Sequence, residues 1–264
     1  MAIPRPLAAL ALPLLLVLGC AEAPPAGGQA AAPVLAAQAA PAPDPALPEG
    51  PYAAAVLVAG SDEQAVFDNG RAAFAAAMRQ RSPLPLAAVE LSARRDRPPD
   101  VGPATRADIE AAFAKVAPKA AACLLFVTSH GSPRGLALTF ARETLTPAFL
   151  DDVLRRHCTG KPTVAILSGC FSGVFADPPL PAANRIILAA AARDRTSFGC
   201  SSDLTYTYYD EALLAHLPDA RTWEQLQAEA AAAVAARERA MSERPSRPQA
   251  SFGATVPPDE LLGR

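Results

Sequence analysis

LFVTSHG (residues 125–131) and AILSGCFSG (residues 165–173) are the two stretches that decide the fold of this 264-residue chain. Each begins as an unbroken apolar run and ends in small or polar residues that include one reactive side chain, His130 or Cys170. Apolar runs without alternation are typical of strands that are covered on both faces of a parallel sheet. Because the carboxyl ends of parallel strands lie at one edge of the sheet, we expect the histidine and the cysteine to meet there.

Further apolar runs alternate with helical patterns on both sides of these two stretches, and this alternation indicates an α/β fold. A threonine is expected to cap the second and the last helix, at Thr105 and Thr222. The pattern predicts a mostly parallel central sheet between helices, with strands at 53–59, 86–91, 123–128, 136–140, 163–167, 185–191 and 250–252 and helices at 64–81, 105–116, from 146, 208–216 and 222–241.

Composition and charge exclude several classes of function. The net charge is −2, and the lysines and arginines are dispersed, so we expect no nucleic-acid partner. The cysteines form no C-x-x-C pair, so we expect no metal site and no cofactor. Gly60-Ser61-Asp62 follows the first strand without the glycine spacing that a dinucleotide-binding module requires.

The N-terminal residues have the pattern of an export signal. An arginine precedes an apolar run at 7–18, which is too short to cross a bilayer comfortably. The run ends in Leu18-Gly19-Cys20, which resembles the lipobox of bacterial lipoproteins, and this resemblance implies lipidation of Cys20. An ordinary signal peptide that happens to contain a cysteine is the alternative.

The expected organisation follows from this signal. We assign residues 1–19 to a signal peptide, 20–50 to the lipidated cysteine and an Ala/Pro-rich tether, and 51–264 to one folded domain. A lipid anchor would hold the protein on a membrane of the cell envelope. Ala21, rather than aspartate, follows Cys20, and by resemblance to enterobacterial sorting this suggests the periplasmic face of the outer membrane.

The paired strand ends predict nucleophilic catalysis. A thiol needs a base or an imidazolium partner to act as a thiolate at neutral pH, and His130 would serve Cys170 in this way. Glycines beside both residues let the backbone approach a substrate. The N–H groups near Gly131 and Cys170 would then form an oxyanion hole. A buried core thiol and a capping histidine are the alternatives. The pairing of Cys123, Cys158 and Cys200 cannot be deduced from the sequence.

The order strand, Ser-His-Gly, strand, Ser-Gly-Cys-x-Ser-Gly resembles the caspase-like clan of cysteine peptidases. Within that clan the chain is most similar, over about residues 56–254, to bacterial members of the legumain family of asparaginyl endopeptidases. The resemblance implies a three-layer caspase-like sandwich, with Cys170 as nucleophile and His130 as base. It implies hydrolysis of peptides or proteins, without a metal or cofactor.

The same resemblance implies a substrate pocket. Asn69-Gly70-Arg71 matches the family's Asn-x-Arg, which makes Asn69 an orienter of the histidine and Arg71 a wall of the S1 pocket. It also places Thr196, Ser197 and Asp210 near the P1 side chain. The resemblance implies a small polar P1 residue, asparagine or aspartate. Ser168 stands where legumains carry an acidic residue, and a pocket without that carboxylate would favour aspartate or be unselective.

Three other functions stay open. The legumain family includes ligases, so a transamidase is one alternative. A non-catalytic envelope lipoprotein on a peptidase-like scaffold is another, although it would need neither Cys170 nor His130. An α/β-hydrolase is less favoured because Ser168 and Ser172 replace its two glycines and only His216 would follow the nucleophile.

Overall fold

The computed structural model describes residues 47–263. The expected signal peptide, Cys20 and most of the expected tether lie outside the described residues. Residues 47–50 form no helix or strand, and the fold begins immediately after them. Within the described part of the chain, no helix is both long enough and apolar enough to cross a membrane.

A seven-stranded sheet forms the centre of the domain. Its strands are β1 (Ala53–Ala59), β2 (Leu86–Ser92), β3 (Gly102–Pro103), β4 (Ala122–Thr128), β8 (Thr163–Ser168), β9 (Arg185–Ala189) and β10 (Gln249–Phe252). They lie in the order β10-β9-β8-β4-β1-β2-β3, and every neighbouring pair is parallel except β10 with β9. Three short strands form a second, antiparallel sheet: β5 (Gly131–Ser132), β6 (Gly135–Leu138) and β7 (Glu143–Leu145). The helices are α1 (Ala65–Arg81), α2 (Arg106–Val116), α3 (Pro147–His157), α4 (Tyr208–His216) and α5 (Trp223–Ala240).

Alternate side chains of the central strands enter two separate apolar layers, because successive residues of a strand point to opposite faces. On β4, Leu125 and Val127 pack on the face that α2 and α3 cover, whereas Leu124 and Phe126 pack on the face of α1, α4 and α5. The whole of β4 is buried. The domain is therefore a three-layer α/β sandwich with a mostly parallel central sheet, as the alternation of strands and helices predicted.

The helix caps agree with the sequence. Thr105 and Thr222 each accept a hydrogen bond from the backbone N–H three residues later. Gln225 completes the last cap differently from an ordinary capping box, since its side chain accepts from the N–H of Arg221 rather than from that of Thr222. The small sheet β5-β6-β7 is the main addition, because only its central strand was predicted.

A disulfide joins the start of β4 to the end of α3. Cys123 is the second residue of β4, Cys158 is the C-cap of α3, and 35 residues separate them. Both are buried on the same face of the sheet. The cross-link lies at the end of the sheet where β4 and β8 begin, opposite to the strand ends that lead to His130 and Cys170.

Candidate active site

The loops that follow β4 and β8 touch each other through their backbones. A Cβ added to Gly131 would lie 1.9 Å from the carbonyl oxygen of Cys170, and one added to Gly169 would lie 2.4 Å from the carbonyl oxygen of Ser129. Ser129 also donates its N–H to the carbonyl of Ser168 at 3.0 Å. A side chain at either glycine would separate the two loops, so both glycines are required for this close approach. The two strand ends therefore meet, as the parallel arrangement predicted.

The sulfur of Cys170 lies against a single residue of a later loop. The backbone N–H of Ser197 points at Sγ from 3.3 Å, and its hydroxyl lies 3.7 Å from the same atom. Such donors stabilise a thiolate by hydrogen bonding to its charge. The next residue, Phe171, has a φ of 59° and donates its N–H to the carbonyl of Arg195 at 2.7 Å. A bulky residue with positive φ is strained and marks a turn that its surroundings enforce.

The backbone N–H of Cys170 makes no hydrogen bond to any of the described residues. It is thus free to donate to a substrate oxygen, which is what the predicted oxyanion hole requires of it. Gly131, the other predicted contributor, begins β5 and pairs with Leu136 of β6. The short sheet, of which only the central strand was predicted from the sequence, therefore lies beside the backbone of Cys170.

The imidazole of His130 is enclosed on two sides. The ring of Phe67 meets it edge-on, with the centroids 5.0 Å apart. Nε2 is buried and has no well-aligned hydrogen bond, although a carboxylate oxygen of Glu63 lies 3.0 Å from it. The distance is that of an ion pair while the angle is poor for a hydrogen bond, so the contact is mainly electrostatic. A small cavity of about 110 Å³ opens beside the ring between Gly131 and Thr144.

Asn69 and Arg71 lie in the second turn of α1 and do not contact His130. The exposed Asn69 donates from Nδ2 to the carbonyl of Thr205 at 3.1 Å. The buried guanidinium of Arg71 pairs with Glu90 of β2 and lies 3.5 Å from Asp68. The orienting role of Asn69 and the S1 role of Arg71 remain predictions, and in this structure both side chains are bound to other residues.

Asp210 is a buried carboxylic acid in the first turn of α4. The hydroxyl of Thr128, at the end of β4, donates to one of its oxygens at 2.6 Å, while the other oxygen is buried without a partner. Burial raises the pKa of Asp210, and the hydroxyls of Ser168, Thr128 and Thr207 lower it by a smaller amount. Ser168 is itself buried at the end of β8. The predicted S1 residues Ser168 and Asp210 are therefore close together, between the two strand ends.

Comparisons with known proteins agree with this arrangement. Residues 117–244 match the model of the Peptidase C13 family. The matched segment includes both strand ends, with His130 and Cys170, and the loop that carries Ser197. Among solved structures, the chain is similar to caspase-1 from Spodoptera frugiperda, with 16% identity over 81% of this chain and 95% of that one and a TM-score of 0.54. No curated protein matches the chain.

The Peptidase C13 match and the caspase-like fold together support a cysteine peptidase. The match leaves out the first 116 residues, and with them β1, α1 and the predicted roles of Asn69 and Arg71. At 16% identity, the similarity to the caspase shows the shared fold and nothing about the substrate. Among the described residues, no group of three or more His, Cys, Asp or Glu side chains is placed to hold a metal ion.

The remaining predicted residues lie in the loop between β9 and α4. Both Thr196 and Ser197 were predicted to lie near the P1 side chain. Thr196 is exposed, and Ser197 contacts the sulfur of Cys170. Cys200, in the same loop, is a free and partly buried thiol. Burial, followed by the nearby Cys170, Asp210 and Glu63, raises the pKa of Cys200 to about 12.

Two contacts of the site were not predicted from the sequence. The first is the approach of Glu63 to His130, and the second is the N–H of Ser197 at the sulfur. Both come from loops whose path depends on tertiary contacts. The only sequence signal is the position of Glu63, which follows the end of the first strand and so belongs to the same edge of the sheet as His130.

Proposed function

We propose that this protein is a cysteine endopeptidase in which Cys170 is the nucleophile and His130 the general acid–base. The observation that carries this proposal is the backbone contact of Gly131 with Cys170 and of Gly169 with Ser129. That contact places the backbones beside a histidine and a cysteine of separate strands against each other, and the N–H of Cys170 makes no hydrogen bond to the described residues. The Peptidase C13 match covers both residues and supports the same reaction.

The proposed reaction proceeds through a thioester. The sulfur of Cys170 attacks the scissile carbonyl carbon while its proton passes to His130, and the N–H of Cys170 stabilises the oxyanion. The imidazolium of His130 then protonates the leaving amine as the C–N bond breaks. Water attacks the thioester, His130 takes a proton from that water, and cleavage of the S–C bond releases the acid and restores the thiol.

The polar cluster around Asp210 supports a small polar P1 residue. Its unpartnered, buried oxygen is an acceptor suited to the amide NH₂ of asparagine. An ionised P1 aspartate would be repelled until one of the two carboxylates is protonated. Because burial raises the pKa of Asp210, this repulsion is relieved at a higher pH than for two ordinary carboxylates. We therefore expect asparagine to be preferred near neutral pH and aspartate to gain as the pH falls.

Arg71 is the proposed hydrogen-bond donor to the P1 side chain. Its existing ion pairs limit which of its nitrogens can bind a substrate. The guanidinium is engaged by Glu90 and lies near Asp68, and its Nε is buried without a partner. Binding a P1 side chain would use this free donor or displace part of the pairing. Loss of one charge-assisted contact would cost about 1.5–3 kcal/mol, which is roughly a ten- to hundredfold decrease in kcat/KM.

We also propose that the protein is lipidated at Cys20 and held on the periplasmic face of the outer membrane. The disulfide between Cys123 and Cys158 supports an oxidising compartment, since such cross-links persist mainly in exported proteins. Mass spectrometry of the N-terminal peptide from a bacterial membrane fraction tests this. An unmodified Cys20, or cleavage at another position, would contradict it.

A peptide library varied at P1, incubated with the wild type and Cys170→Ala, tests the proposed peptidase. We expect cleavage after asparagine or aspartate by the wild type and none by the variant. Arg71→Ala and Asp210→Ala are then compared on Asn, Asp, Ala and Arg substrates between pH 5 and 8, with folding checked by thermal unfolding. Unchanged selectivity in both variants would remove these residues from S1. A wild-type preference for arginine would refute the pocket but not the role of Cys170.

The same library distinguishes the alternatives. Adding a peptide with a free N-terminal amine identifies a transamidase, because the thioester would be resolved by that amine rather than by water. Binding of peptides without cleavage or transfer would instead identify a non-catalytic scaffold. The thiol of Cys170 is free, and the backbone N–H of Ser197 points at its sulfur. Both observations favour catalysis by Cys170 over peptide binding alone.

A further inference from the structure

A single carboxylate lies at the buried nitrogen of His130. Glu63 Oε2 is 3.0 Å from Nε2, and no other carboxylate of the described residues is within ion-pair distance of this histidine. Glu63 is mostly exposed, with 65% of its side chain accessible, while 35% of the His130 side chain is accessible. The ion pair is therefore partly exposed, whereas Nε2 of His130 is closed off from solvent.

The segment that carries Glu63 is fixed by several contacts to the ends of the strands. Gly60 donates its N–H to the carbonyl of Thr128 at 2.9 Å and accepts from the N–H of Thr139 at 2.8 Å. A Cβ on Gly60 would lie 2.4 Å from the carbonyl of Ala137, so this contact is also close. The hydroxyl of Thr139 donates to Asp62 at 2.7 Å. The backbone that carries Glu63 is thus held against the ends of the strands, within reach of His130.

The other groups around His130 cannot take the place of Glu63. Phe67, from α1, is uncharged, and Asp62 is turned toward Thr139. Asn69 donates to the carbonyl of Thr205. The thiols Cys170 and Cys200 face the site from the loops after β8 and β9, and Cys200 interacts electrostatically with both Glu63 and Cys170. Glu63 is the charged group in contact with the imidazole.

We propose that Glu63 is the positioning residue of His130. Its carboxylate fixes the ring and stabilises the imidazolium that forms when His130 accepts the thiol proton. Glu63 stays ionised throughout: the proton passes from Cys170 to His130 and then to the leaving amine, and never to the carboxylate. This inference rests on the proposed peptidase function. It assigns to Glu63 the support of the histidine that the resemblance implied for Asn69.

Three variants at this position separate charge from shape. Glu63→Gln keeps the shape and removes the charge, Glu63→Asp keeps the charge on a shorter side chain, and Glu63→Ala removes both. Asp96→Asn is the matched control, since it removes one carboxylate from an exposed ion pair with Arg94. The library experiment with wild type and Cys170→Ala is carried out first, and kcat and KM are then measured separately for each variant.

We expect Glu63→Gln to lower kcat by roughly ten- to a hundredfold, part of the contribution of general acid–base catalysis, with KM changed less than about twofold. Glu63→Asp should recover part of the loss, and Asp96→Asn should match the wild type. A second readout does not depend on peptidase activity. Carbethoxylation of His130, followed by mass spectrometry, should be faster in Glu63→Gln and Glu63→Ala, with His216, whose carboxylate partner is Glu229, as the internal reference.

The outcomes distinguish the two proposals. If the wild type cleaves peptides and Glu63→Gln has wild-type kcat and carbethoxylation, Glu63 is not a positioning residue, while the peptidase function stands. A variant faster than the wild type would likewise overturn the inference, because Glu63 would then restrain the histidine. If the wild type and Cys170→Ala are equally inactive on every peptide, the peptidase function fails, and the inference fails with it.

Discussion

The two ends of the central sheet use the same residue type for opposite purposes. Where β4 and β8 begin, Cys123 and Cys158 are buried and joined in a disulfide. Where these strands end, Cys170 and Cys200 are free and partly exposed. The first end contains a cross-link that stabilises the fold. The second contains features that cost stability: the positive φ of Phe171 and the unpartnered oxygen of Asp210.

This difference indicates that one end of the sheet contributes stability and the other end contributes the proposed active site. Proteins commonly break the rules of stable packing at functional sites and compensate elsewhere in the fold. The strand ends here carry a strained backbone and a buried, unpartnered carboxyl oxygen, and the strand starts carry a covalent constraint. Changes at the two ends should therefore separate stability from chemistry.

The largest expected effect is the difference in reactivity among the cysteines. Iodoacetamide at pH 8 should modify Cys170 first. Cys200 should react at least about a hundredfold more slowly than an ordinary free thiol, because burial raises its pKa to about 12 and leaves very little thiolate. The disulfide-bonded Cys123 and Cys158 should not react. Peptide mapping over time measures all four positions. Equal rates at Cys170 and Cys200, or full activity after Cys170 is modified, would contradict the assignment.

The sequence predicted the meeting of the strand ends but not the disulfide at the strand starts. The apolar runs predicted β1, β4 and β8 closely, and because the sheet is parallel they also predicted that His130 and Cys170 meet. Those inferences depend on periodicity and on one rule of topology. The pairing of Cys123 with Cys158 was left open, since it depends on how the end of α3 returns to the sheet.

The contacts made by loops were harder to predict. The strands β5 and β7 have three residues or fewer, too few to show a period, so the sheet beside His130 was incomplete. Asn69 and Arg71 were recognised as a motif, but their partners Thr205 and Glu90 lie far away in the sequence. A charged or polar side chain in a site can pair with any of several neighbouring groups. The sequence alone does not show which of these pairs forms.

The second effect concerns the strand starts. Replacing both disulfide cysteines, Cys123→Ala with Cys158→Ala, should lower the free energy of unfolding by about 2–4 kcal/mol, as expected for a cross-link across 35 residues. Urea unfolding measures it, and peptidase activity per folded molecule should stay near the wild-type value. Reduction of the wild type should produce a similar loss, while the double variant should not respond to reductant. Loss of activity without loss of stability would mean that the two ends are not separable.

The smallest expected effect is a gain in stability. It comes from replacing Asp210 at the strand ends, whereas removal of the disulfide at the strand starts lowers stability. Burial raises the pKa of Asp210 above its ordinary value of 3.8. Below pH 3.8 the carboxyl is protonated in both the folded and the unfolded chain and contributes no pH dependence. As the pH rises above 3.8, the unfolded chain ionises while the folded chain retains its proton, so the wild type loses stability until the pH passes the folded pKa.

The side chain in Asp210→Asn does not ionise, and its amide oxygen can still accept the hydrogen bond from Thr128. Relative to the wild type, the variant should therefore become more stable as the pH rises from 4 toward 8, while its P1 selectivity is impaired. Asp96→Asn provides a control of opposite sign. Hydrogen bonding to Arg94 lowers the pKa of Asp96, so the wild-type residue gains its stabilising contribution as the pH rises toward 3.8 and keeps it unchanged above that value, and the variant should become relatively weaker only over this acidic range. Urea unfolding of the three proteins from about pH 2 to pH 8 measures both effects. A constant difference in stability between Asp210→Asn and the wild type from about pH 4 to 8 would show that burial of Asp210 does not destabilise the fold, and the strand ends would then carry no electrostatic cost for their proposed chemistry.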